Sequence, residues 1–196
     1  MKKNSSSSKD DSSTHRSSGP VNILETLAPN RECGDCIACC QILEIETEEL
    51  TKAANQLCSQ NSGNGCDIYD TRPDVCRSWY CLWRRIDAMP VEIRPDRIGV
   101  VFSIDTHEPP RTPFEQFYIV ARCINGPDDF KHPSVQAALN MFIDEGHIPV
   151  WLSYAGTKKL IYPAPDLAKA IVTPGHYPEK ITNVISDWRR RLKINL

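Results

Sequence analysis

Cys33-Gly34-Asp35-Cys36-Ile37-Ala38-Cys39-Cys40 opens a stretch that closes with Gly65-Cys66-Asp67-Ile68-Tyr69-Asp70-Thr71-Arg72-Pro73-Asp74-Val75-Cys76-Arg77-Ser78-Trp79-Tyr80-Cys81-Leu82-Trp83. With Cys58 between them, residues 33 to 81 hold eight of the nine cysteines of the chain. Packing alone does not call for thiols at that density. A metal site or a disulfide framework does.

Composition separates the two. Nine cysteines in 196 residues fall below the roughly 8–10% of disulfide scaffolds, and a chain of this length can bury an ordinary apolar core without staples. Met1-Lys2-Lys3-Asn4-Ser5 has no apolar run behind it, where a secretory leader needs about 7–15 apolar residues. No apolar run reaches the length of about 18 residues that a membrane span requires. The expected compartment is the cytoplasm, where clustered cysteines hold metals more often than disulfides. The net charge of −2 makes no case for nucleic acid or an anionic membrane as partner; the partner read here is a metal ion.

The spacing supports that reading. A tetrahedral ion takes four thiolates at about 2.3 Å, and a C-x2-C turn brings two sulfurs to one side. Cys33-x2-Cys36 is such a turn and Cys36-x2-Cys39 repeats it. Cys39 and Cys40 are neighbours whose side chains diverge on most backbones. Cys66-x9-Cys76-x4-Cys81 is looser and joins Cys58 in a second set of four. Three arrangements are open: two four-thiolate sites with ligands exchanged between the runs, one metal beside redox-active thiols, or one Fe–S cluster. C-x2-C-x2-C also opens bacterial ferredoxin runs, but the fourth cysteine three residues on, with its proline, is missing here. The candidate ligands for zinc or iron are Cys33, Cys36, Cys39, Cys40, Cys58, Cys66, Cys76 and Cys81. For Cys40, Cys58 and Cys81 a plain core thiol competes with that role. Cys123 lies in an apolar strand pattern and reads as a buried, inert thiol.

Arg72, Arg77, Arg84, Arg85, Arg94 and Arg97 surround the second run. Four thiolates on a divalent ion carry net −2, which nearby guanidinium groups would offset. Arg72 and Arg77 flank Cys76 and are the best placed by sequence. For the other four, surface pairing with acids such as Asp87 and Asp96 is the preferred reading. Tyr69 and Trp83 fit either a shield over the site or an ordinary core.

Outward from the cluster, residues 1 to 20 are Ser-, Lys- and Asp-rich and are expected to be a disordered tail; residues 21–196 are expected to form one domain. Thr47 with Glu48 and Glu49 after it predicts a helix ending near Leu57. Pro73 is expected to open a short helix. From residue 94 the character is α+β. Ile98–Ile104 and Phe117–Cys123 predict a pair of antiparallel strands. Val135, Ala138, Leu139, Phe142 and Ile143 predict a helix opened by Pro133 and closed by Gly146. Strands are expected at 150–154 and 159–162, around Ala155-Gly156-Thr157, and a last helix through Ile181, Val184, Ile185, Trp188 and Leu192. The fold class is therefore α+β, a cysteine-rich N-terminal half against a small antiparallel sheet with two helices.

Cys33-x2-Cys36-x2-Cys39-Cys40, together with Cys66-x-Ile68-Tyr69-x2-Arg72-Pro73-x2-Cys76-Arg77, resembles the CxxCxxCC family of YkgJ-like cysteine cluster proteins, described as zinc- or iron-chelating domains. Arg94-Pro95-Asp96-Arg97-Ile98-Gly99-Val100-Val101 is similar to the segment on the C-terminal side of the cluster in one bacterial branch of that family. The resemblance spans residues 33 to 83 and implies metal binding by Cys33, Cys36, Cys39, Cys40, Cys66 and Cys76. Cys58 and Cys81 rest on the residue count. Larger relatives include flagellin lysine N-methylases, but no glycine-rich nucleotide loop is present to carry methyl transfer over.

No catalytic motif is found. His107, His132, His147 and His176 are scattered and read as surface or packing residues, and Trp188-Arg189-Arg190-Arg191 with Lys193 reads as a solvated helix end. A metal-binding protein holding zinc or iron is the leading expectation, and an Fe–S oxidoreductase or redox sensor the alternative.

Overall fold

Val100-Val101-Phe102-Ser103-Ile104-Asp105 combines β-branched and aromatic residues with little helix-forming tendency, and it is the edge strand of a four-stranded sheet. The structure is a computed structural model that describes residues 23–63 and 65–196; the expected tail at residues 1 to 20 lies outside them. In chain order the elements are α1 (Ala38–Ile42), β1 (Ile45–Glu46), β2 (Thr51–Lys52), α2 (Asp74–Ser78), α3 (Leu82–Arg85), α4 (Pro95–Ile98), β3 (Val100–Asp105) and β4 (Tyr118–Cys123). They continue as α5 (Pro133–Glu145), β5 (Val150–Tyr154), β6 (Thr157–Tyr162), α6 (Pro165–Val172) and α7 (Glu179–Arg191). Single 3-10 turns lie at Tyr69–Thr71, Val91–Ile93, Pro113–Glu115 and Pro127–Lys131.

The α+β class holds, with two corrections. The main sheet runs β3-β4-β5-β6, and β4 and β5 are parallel, Ile119 facing Val150 and Arg122 facing Ser153. It is mixed, because α5 supplies the crossover that parallel neighbours need. Three longer helices pack on it, since α6 also forms, with Pro165 in its first turn. The prolines at 163 and 165 obscure it in the sequence, yet Leu167, Ala168 and Ile171 carry the apolar spacing.

Alternation along the strands sorts their side chains onto two faces. Val100, Phe102, Ile119, Ala121, Cys123 and Val150 join Leu82, Trp83, Ile93 and Ile98 with Val135, Ala138, Leu139 and Phe142 of α5 in the main core. The Phe102 and Phe142 rings lie 5.8 Å apart. His132 Nδ1 accepts from the Ser134 amide at the start of α5, and Gly146 ends it at φ 68°, where a Cβ would strain the backbone. The opposite face is divided. Ala168, Ile171, Trp188 and Leu192 cover its β5–β6 side together with Phe114. Ala38 and Ile42 of the cysteine segment cover Val101 on β3.

The expected helix from Thr47 is instead the β1–β2 hairpin, with Ile45 opposite Lys52 and Glu46 opposite Thr51. Thr47 Oγ1 accepts from the Leu50 amide at 3.1 Å and also donates to the Leu50 carbonyl. That local bond offers the backbone a turn in competition with a helix, and the segment has no apolar stripe to repay helix nucleation. The helix expected at Pro73 is present as α2.

Candidate metal centre

Seven of the eight clustered cysteines are half-buried and Cys58 is buried; all nine thiols are unbridged. Short segments carry the eight. Gly34, at φ 55°, lets the chain turn so that the Cys36 amide donates to the Cys33 carbonyl at 3.0 Å. Cys39 and Cys40 are successive residues of α1. The Cys58 amide donates to the Cys40 carbonyl at 3.0 Å, and the Asn61 amide to the Cys58 carbonyl at 3.0 Å. Asn61 then forms an antiparallel bridge with Cys66. Cys76 lies in α2, and Cys81 stands at the N-terminal cap of α3. Cys123, in contrast, is fully buried in the main core, where burial pushes its thiol up to about 12.

The thiols act on one another electrostatically. Cys39 and Cys40 act on each other more strongly than on any other thiol, which holds the Cys40 pKa down and drives that of Cys39 up. Burial pushes Cys36 and Cys81 up to about 11 each, and it raises Cys33 and Cys76 as well. Among the described residues, no three His, Cys, Asp or Glu side chains are gathered closely enough to hold an ion as they stand.

Cations are built into it. Arg72 lowers the pKa values of Cys33, Cys40 and Cys76, and its guanidinium lies 3.9 Å above the Tyr69 ring. Lys52 is only 6% exposed and donates to the carbonyls of Gln41, Leu43 and Ala53. Burial lowers its pKa, while the charges of Cys58, Cys40 and Cys39 oppose that shift. Arg84 and Arg94 act on Cys33. Asn61, bonded to Cys58 and bridged to Cys66, is buried with its Nδ2 unpartnered. Among the described residues, the fully buried side-chain N and O atoms without a partner are Asn61 Nδ2 and Arg72 Nε.

Arg72 thus stands where its place in the sequence puts it, but Arg77 does not. Its side chain is 54% exposed and pairs with Asp74, with Nε 3.1 Å from Oδ1, because α2 turns it away from Cys76. Of the other arginines, Arg94 pairs with Asp35 and Asp96 at 2.7 Å each. Arg84 and Arg85 reach backbone carbonyls instead of acids, among them Ala28 at 2.8 Å and Tyr80 at 3.2 Å. Trp83 belongs to the main core, its Nε1 donating to the Val91 carbonyl. Tyr69 is exposed and carries Arg72. Sequence reading misses Lys52 and Asn61. A lysine inside an expected helix and an asparagine in a turn-rich loop carry no signal of burial.

The remaining candidates are occupied elsewhere. His107 Nδ1 lies 2.6 Å from the Pro109 carbonyl, His132 caps α5, and His147 contacts Arg191. The basic end of α7 is not merely solvated. Arg189 donates to the carbonyls of Ala170, Ile171 and Thr173, and Arg191 to that of Gly146, so the run ties α7 to α6 and to the end of α5. Among the described residues no helix is long and apolar enough to cross a membrane. Comparison with protein-family models, with curated proteins and with solved structures gave no match.

Proposed function

We propose that this chain is a metal-binding protein that holds zinc or iron through the thiolates of Cys33, Cys36, Cys39, Cys40, Cys58, Cys66, Cys76 and Cys81. One observation carries the proposal. The two unpartnered buried donors, Asn61 Nδ2 and Arg72 Nε, both stand among the cysteines: Asn61 is bonded to Cys58 and bridged to Cys66, and Arg72 lowers the pKa values of Cys33, Cys40 and Cys76. An unmade buried hydrogen bond costs about 1–3 kcal/mol. Thiolate sulfurs on a metal are acceptors, and hydrogen bonds to them tune such centres. The surroundings therefore suit an anionic centre better than a set of neutral thiols.

The donor set fits zinc, iron or an Fe–S cluster by its chemistry. When bound, the metal supplies a cross-link among five short segments or, as an Fe–S cluster, a site for one electron. Arg72 and Lys52 offset the negative charge, and Asn61 orients a sulfur. The resemblance to the CxxCxxCC family is in line with this reading. The test is elemental analysis with an absorbance spectrum on protein purified without oxygen and without affinity-tag metal. Zinc or iron in stoichiometric amount is expected. Protein that carries no metal, and takes up neither zinc nor ferrous iron when offered, would overturn the proposal. Iron with acid-labile sulfide would specify an Fe–S redox centre.

A further inference from the structure

Arg31 is 7% exposed, and its hydrogen-bond partners among the described residues are all carbonyls. Nη1 donates to those of Trp83 at 2.7 Å and Ile86 at 3.0 Å, and Nη2 to those of Asp87 at 2.8 Å and Met89. The guanidinium also lies 5.3 Å from the Trp83 ring. These carbonyls belong to α3 and the turn that follows it. The end of a helix leaves such groups without an intrahelical partner, and a cation is favoured there. Arg31 therefore caps the C-terminus of α3 from a distant part of the chain. Ala28 adds two bonds: its amide donates to the Arg84 carbonyl at 2.8 Å, and its carbonyl accepts from Arg84 Nη1 at 2.8 Å. The position of this clamp is what matters. Arg31 stands two residues before Cys33, and Cys81 is the N-terminal cap of the four-residue α3. Holding the end of so short a helix fixes the way into Cys33 to the way out of Cys81. Lys52, by contrast, binds the carbonyls of Gln41, Leu43 and Ala53 and ties its own stretch to itself.

On the metal-binding reading, we infer that Arg31 is a positioning residue of the centre: it holds the segment leading into Cys33 on the α3 turn in the metal-free chain, so that an ion meets these two segments already in place. The role is the same whichever thiols share an ion. Groups held beforehand lose less freedom on binding, and support of this kind is worth about 10–100-fold in metal affinity. The amides of Asn55, Cys58 and Asn61 bond to the carbonyls of Ile42, Cys40 and Cys58, all within one stretch, and that stretch is left for the ion to order.

Hydrogen exchange on the chelated full chain and an oxygen-free cobalt(II) titration test this role. In chelated wild type the amides of Ala28 and Ile86 are expected to stay protected while those of Cys58 and Asn61 exchange. Arg31→Met should free Ala28 and Ile86 and lower cobalt affinity about 10–100-fold, with β3 and β4 still protected. It should also weaken the thiolate-to-cobalt charge-transfer band per bound ion, which a purely structural role would leave unchanged. Arg31→Lys, with three donors for four carbonyls, should recover part of both losses. Ala28 exchanging as freely as Cys58 in chelated wild type would overturn the positioning role and leave metal binding intact, and this measurement decides by itself where Arg31→Met does not fold. Arg31→Met titrating with the wild-type affinity and spectrum would overturn it equally. A wild-type chain that takes up neither cobalt nor zinc would overturn both.

Discussion

The cysteine segment and the sheet body are held together in different ways. The body buries Val100, Val101, Val120, Ala121 and Val135 completely, in strands of five or six residues and helices of up to thirteen. The segment from 33 to 81 has helices of five residues and strands of two. Its buried residues include the polar Lys52 and Asn61 beside Ala38, Ile42 and Cys58. Elements that short are unstable alone. Apolar burial thus holds one half, and on the metal-binding proposal an ion would cross-link the other.

The largest expected effect breaks the two apart. A structural metal of this kind is worth about 10–16 kcal/mol of apparent folding energy. Chelation should therefore abolish amide protection at Leu43, Cys58 and Asn61 while leaving β3, β4 and α5 protected. Hydrogen exchange with mass spectrometry reads both regions in one experiment, and an unchanged thermal midpoint would remove the structural role.

A mutation in the body should do the converse. Phe142→Ala empties the place of a ring that packs on Phe102 and should cost about 3–5 kcal/mol. Denaturant unfolding of metal-loaded protein measures the loss, and metal content should not change. Arg72→Met removes the cation shared by Cys33, Cys40 and Cys76. It should weaken metal affinity by about 10–100-fold, as read by competition with a chromogenic chelator, with little change in the body's unfolding.

The mildest perturbation is pH. Cys36 and Cys81, raised to about 11, are protonated at neutrality in the metal-free protein. Binding must displace those protons, so affinity rises with pH up to that value and falls with acid. Each displaced proton contributes about tenfold per pH unit. A chelator competition series from pH 6 to about 8 gives the number of protons from its slope, and a flat profile would mean that neither thiol is a ligand.

Much of this contrast is legible in the chain. Ile and Val runs announce β3 and β4, the spacing of Val135, Leu139 and Phe142 announces α5, and Cys33-x2-Cys36 announces a turn. These signals are local, set by periodicity and by the reach of a few residues. The misleading signal is equally local: Thr47 with Glu48 and Glu49 reads as a helix start, whereas Thr47 bonds Leu50 and closes a hairpin.

The α+β class, the eight candidate ligands, and Arg72 beside Cys76 can all be read from the residues in order. Those follow from composition, spacing and adjacency, which every chain with these residues shares. It takes the folded molecule to show that β4 and β5 run parallel, that Arg77 faces solvent, and that Lys52 and Asn61 are buried beside Cys40. The fold also brings Cys36 and Cys81, forty-five positions apart in sequence, onto the same apolar nucleus. Such contacts depend on which buried surfaces meet, and burial is a property of the whole fold, not of any stretch within it.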